Sequence, residues 1–185
     1  MKKIIAMILS LALLLGCAAG FAEAAETASE KAELGTVNVN GVYKIQGKIP
    51  EGYRLAIMSQ TNTSLVSMLM PEDPAKPTVT LSVAFSEDWA DTERLNDVPE
   101  ELLAEIEASF ESEDEVKIEY RETGLGTKLM VVTEGSEEAP RFVDIYTIYK
   151  GYEHEFLMSP GTAPLSEEHI QMMVDFITDI DFVEA

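Results

Sequence analysis

The sequence predicts an α+β domain over residues 41–185, a mainly antiparallel sheet packed with two helices. Three observations predict it. Eight short apolar alternations have strand length, two amphipathic segments open on helix-capping residues, and Gly151 sits where a two-residue hairpin loop needs a left-handed backbone.

The elements follow in chain order. Residues 25–40 are Ala, Glu, Thr, Ser, Lys and Asn with few large apolar groups, which reads as a polar linker. Strands are predicted at 42–46, 53–59, 65–70, 79–85, 116–121, 128–133, 142–150 and 152–158. In the fourth, Val79, Leu81, Val83 and Phe85 alternate with Thr80, Ser82 and Ala84, so one face meets a core. In the seventh, Tyr146 and Ile148 on one side answer Val143, Ile145 and Tyr149 on the other, so it is expected to be central and covered on both faces. The first helix is capped by Asn96 or Asp97, carries Pro99 in its opening turn and Glu100 and Glu101 at its positive end, and buries Leu102, Leu103, Ile106 and Phe110. The second is capped by Ser166, with Leu165 stapling onto Ile170 and with Ile170, Met173, Val174 and Ile177 inward; Ile180 and Phe182 anchor the tail.

These pieces carry a resemblance. Ile49-Pro50-Glu51-Gly52-Tyr53 between early strands, the middle helix, the run from Gly124 to Leu129, the Tyr149 to Tyr152 hairpin and the closing helix with Ile180 and Phe182 resemble the PsbP-like superfamily. That group includes a photosystem extrinsic subunit, a Ran-binding import factor and bacterial exported or lipid-anchored DcrB-like proteins. The resemblance lies in element order and turn placement over residues 41–185. It implies an α/β/α sandwich around an antiparallel sheet, used as a binding or assembly module and not as an enzyme, and it carries no site.

The N-terminus reads as an address. Lys2 and Lys3 precede an apolar run from Ile4 to Leu15, then Gly16, Cys17 and small residues, the layout of a secretory signal. The run is too short for a hydrocarbon core, which needs about 20 residues. Two fates compete. Leu14-Leu15-Gly16-Cys17 resembles a bacterial lipobox, with signal 1–16 and a lipidated Cys17, while Ala22-Glu23-Ala24 fits cleavage after residue 24. Cys17 is the only cysteine, so no intrachain disulfide forms. The expected location is extracytoplasmic, secreted or lipid-anchored to the outer face of the cell membrane.

Composition narrows the function. In 185 residues, 13 Lys and Arg face 34 Asp and Glu, for a formal charge of −21. Such a surface repels nucleic-acid phosphates, so no nucleic acid is expected as a partner. Thirteen acids between residues 86 and 115 face Arg94 alone, a patch for a basic partner or Ca²⁺ or simply a solvated face. Zinc needs about four N or S ligands, and two histidines without a domain cysteine do not supply them. His154 is expected to be a hydrogen-bonded histidine at the core edge, and His169 a solvent-facing helix residue. Gly135-Ser136 lacks the rest of a nucleophile elbow, and Leu129 replaces the third glycine of a dinucleotide fingerprint after Gly124 and Gly126. Met68, Met70, Met172 and Met173 read as core filler.

The expectation is therefore a non-enzymatic, exported binding or assembly module with no cofactor and no metal, working through a surface groove on a protein partner or small ligand. Trp89, if exposed, is the first contact candidate, with Tyr53 and Tyr152 behind it. Two alternatives stand beside this one: a Ca²⁺-stabilised envelope protein, and an extracytoplasmic hydrolase using an acidic pair such as Asp88 and Asp91.

Overall fold

The computed structural model describes residues 31–39, 43–110, 116–123, 126–136 and 139–184. The signal segment with Cys17, part of the linker, residues 111–115 with four of the acids and the Gly124-Leu125 step lie outside the described residues. Period-two alternation dictates most of what is seen. The strands are β1 (Ala32–Val37), β2 (Tyr43–Gly47), β3 (Tyr53–Gln60), β4 (Ser64–Pro71), β5 (Thr78–Phe85), β6 (Val116–Glu122), β7 (Lys128–Ser136), β8 (Ala139–Tyr149), β9 (Tyr152–Ser159) and β10 (Asp181–Glu184). Helices α1 (Glu100–Phe110) and α2 (Glu167–Thr178) follow β5 and β9, and short 3₁₀ turns at Glu87–Trp89 and Leu95–Asp97 lead into α1.

Pairing is antiparallel throughout. A seven-stranded sheet runs β3-β4-β5-β9-β8-β7-β6, and a three-stranded sheet runs β1-β2-β10. The β8–β9 turn explains the tightest connection. Tyr149 faces Tyr152, and Lys150 and Gly151 take φ values of 51° and 79°, the two left-handed residues of a type I′ hairpin. Gly35 marks a bulge in β1 at φ 148°, where a Cβ would collide with Leu65 of β4.

The expected α/β/α sandwich is not the architecture: among the described residues the fold is sheet-rich, ten strands in two sheets with two helices. The physical reason lies in what covers each face. Over one face of the large sheet, Leu65, Leu69, Leu81, Val131, Ile145 and Phe156 form one core with α2 and with Leu34, Val37, Tyr43 and Ile45 of the small sheet. Part of that cover is therefore a second sheet. On the opposite face, Leu95, Val98, Leu103 and Ile106 pack on Met130, Val132, Tyr146 and Ile148, so α1 and its lead-in cover the β7–β8 side. Val66, Met68 and Met70 on β4 are only half-buried there.

Local differences have local causes. β1 lies inside the expected linker, because the bulge at Gly35 lets both Leu34 and Val37 reach the core and Ser67 Oγ donates to the Leu34 carbonyl at 2.7 Å. Leu102, expected inward, is 37% exposed, since the helical period brings only Leu103 and Ile106 fully onto the sheet. α2 is capped as expected, but His169 takes the place usually held by Glu: its Nδ1 accepts the Ser166 backbone N–H at 3.2 Å.

Candidate functional site

The alternation of β9 turns Tyr152, His154, Phe156 and Met158 toward α2, and the register sets Thr147 of β8 beside His154. The chain leaves α2, turns at Asp179 and adds β10 to β2, with Phe182 opposite Ile45. That return brings the Phe182 ring to 4.8 Å from His154, 4.9 Å from Tyr149 and 6.3 Å from Tyr43. Beside these rings lies a cavity of about 210 Å³.

Its lining divides by chemistry. Leu81, Val83, Phe156 and Ile177 supply apolar wall, and Arg94, Thr123, Thr127 and Thr147 supply polar wall. The polar part is held by a lattice of short bonds. Thr147 Oγ1 donates to the Lys128 carbonyl at 2.9 Å, and the Thr127 N–H donates to Thr123 Oγ1 at 3.1 Å. Asn96 Nδ2 donates to the Gly126 carbonyl at 3.0 Å while its Oδ1 accepts the Lys128 N–H at 2.8 Å, pinning the Arg94 segment to the β6–β7 turn. Arg94 also bridges Tyr149 through its backbone.

His154 is the unusual group. It is 4% exposed, and its Nε2 has no hydrogen-bond partner, where a satisfied histidine was expected. Burial lowers its pKa to about 3, so the ring is neutral at any ordinary pH.

A second cluster sits on the other face of the same two strands. Asp144 and Glu155 share a side-chain hydrogen bond, and Glu153 accepts from Trp89 Nε1 at 2.8 Å and from Tyr146. Desolvation raises all three carboxyls; repulsion from Glu155 adds to the rise at Asp144, while the Trp89 and Tyr146 bonds offset part of it at Glu153. These groups tie the Glu87–Trp89 turn to the sheet.

The three contact candidates from the sequence are placed elsewhere than on an open surface. Trp89 keeps 6% of its surface, Tyr53 7% and Tyr152 none. The Tyr152 hydroxyl donates to the Val39 carbonyl at 2.6 Å and accepts its N–H at 2.7 Å, while the Tyr53 hydroxyl is buried without a partner. Exposure was the condition for Trp89 as a contact, and it is not met. Replacing Trp89 with Phe is expected to cost about 1–3 kcal/mol, because a buried carboxylate loses a donor. The check is the urea midpoint at constant m-value; an unchanged midpoint means that the bond is not made. Asp88 and Asp91 are both exposed and form no buried acidic pair. No group of three or more His, Cys, Asp or Glu able to hold a metal occurs among the described residues, and no helix among them is long and apolar enough to cross a membrane.

Arg94, Thr147 and Phe182 were not singled out as site residues from sequence. Arg94 did carry a signal, as the one base among thirteen acids. Compared with known proteins, the chain matches no protein-family model and no curated sequence, so the comparisons bear neither way on the PsbP-like resemblance.

Proposed function

We propose that the protein is an exported, non-enzymatic binding module, released outside the membrane or anchored through Cys17, and that it holds a small organic molecule in the cavity beside β10. The observation that carries this reading is His154, a buried ring with an unpartnered nitrogen in the wall of a cavity with distinct apolar and polar parts. Leaving such a nitrogen unsatisfied costs about 1–3 kcal/mol, which a ligand atom or an ordered water recovers. The size is adequate: a cavity of about 150 Å³ takes up benzene, so 210 Å³ accommodates a ring with a short substituent. A non-catalytic role is supported by the histidine itself, whose low proton affinity disqualifies it as a base near neutral pH.

Native mass spectrometry of the chain collected outside the cytoplasmic membrane tests the proposal. The expected mass lacks residues 1–24, or residues 1–16 with lipid on Cys17, and carries a noncovalent organic adduct. Benzyl alcohol added at tenfold its Kd is expected to stabilise by about 1.4 kcal/mol, raising Tm by about 3–6 °C. A full-length cytosolic chain overturns the export half. The absence of both an adduct and a Tm response overturns the binding half.

A further inference from the structure

We infer that the occupant is a small carboxylic acid with an apolar body, its carboxylate held at Arg94 and its body lying along Phe156 and Phe182. This rests on the ligand-binding reading above and sharpens it.

Charge at the cavity carries the step. Among the described residues, two charged ones line it, Arg94 and Asp181. Asp181 is already engaged, with Lys31 Nζ at 2.6 Å. Arg94 has no ion-pair partner among the described residues, although thirteen acids share its stretch of sequence. Its backbone is nonetheless fixed, through the bridge to Tyr149 and through the Asn96 clamp two residues on. A guanidinium fork on a fixed backbone, without an ion-pair partner among the described residues of a chain of charge −21, matches a planar carboxylate, which it binds through two parallel hydrogen bonds. The neighbouring threonines make that end polar, whereas Leu81, Val83, Phe156 and Ile177 offer a charged head nothing. An ammonium ligand would meet Arg94 with like charge, and a neutral ligand would leave it unused. The shape of the acid follows from the volume: one ring, or a short branched chain, beyond the carboxylate.

The test compares phenylacetate, benzyl alcohol and benzylamine by calorimetry and by NMR shifts of the His154 and Phe182 rings. Wild type is expected to bind phenylacetate about tenfold or more tightly than benzyl alcohol, with benzylamine weakest. Arg94→Gln is expected to erase that preference, bringing the acid and alcohol Kd values together, and Arg94→Lys to keep part of it. Arg94 is exposed, so neither variant disturbs the core. Equal wild-type affinities for acid and alcohol, or a preference that survives Arg94→Gln, overturn the carboxylate inference and leave the binding module standing. No binding by any of the three, with both rings unmoved, overturns the two together.

Discussion

Replacing Phe182 with Ala is expected to move the His154 pKa from about 3 toward the ordinary value of ~6.5. The cause of the depression is desolvation, and Phe182 supplies much of that cover: its ring stands 4.8 Å from the imidazole, on a four-residue strand that pairs only with β2. Removing the ring admits water to the cavity and to His154. The reading is an NMR titration of the imidazole Cε1–H between pH 3 and 8. Phe182→Leu retains a cover and is expected to keep the histidine silent above pH 5. If the Ala variant also fails to titrate above pH 4, the strand is not what excludes water. Because Phe182 is half-buried, the stability cost is expected to be about 2 kcal/mol, below the ~3–5 kcal/mol of a fully buried Phe.

The same change alters how stability depends on pH. With its folded pKa below the unfolded one, His154 stabilises fully above pH ~6.5 and loses that contribution as pH falls toward 3, since the unfolded chain then binds a proton that the native state refuses. The slope from this one group approaches about 1.4 kcal/mol per pH unit, and Phe182→Ala removes it.

How much of the fold is legible in the sequence follows from the range of the forces involved. All eight expected strands are present, because period-two alternation is local and writes itself into segments such as Thr78–Phe85. β1 and β10 escaped for the opposite reason. Ala32–Val37 includes Ala, Glu and Gly, poor strand formers, and is a strand only because β2 and the Leu65 side of β4 lie against it. Asp181–Glu184 offers four residues on an edge, too few for a period. The sandwich expectation failed on area: capping residues locate a helix, but nothing in Glu100–Phe110 says that it covers only the β7–β8 side of a sheet seven strands wide. The burial of His154 was legible from its own strand. Its cavity was not, because Arg94, Thr147 and Phe182 come from three distant segments and meet only through register.

On the opposite face of those strands, Asp144→Asn is expected to stabilise the protein at pH 8 by about 1–3 kcal/mol, the scale of a buried polar group relieved of an unfavourable state. Asp144 is fully buried and hydrogen-bonded to Glu155, so its carboxyl holds its proton well above the usual range, first because charge is desolvated there and then because a second carboxylate lies beside it. A raised folded pKa means that the native state binds more protons than the unfolded chain. The contribution is fully present below the unfolded value of ~3.9 and is lost as pH rises through the folded one, opposite in sign to His154. Asparagine presents an amide donor to Glu155 and never ionises, so the variant keeps the bond and drops the loss. Melting wild type and Asp144→Asn at pH 5 and pH 8 reads the difference directly. The gain should be larger at pH 8, at about 2–4 °C per kcal/mol, and a variant destabilised equally at both pH values would show that Asp144 is already ionised in the fold.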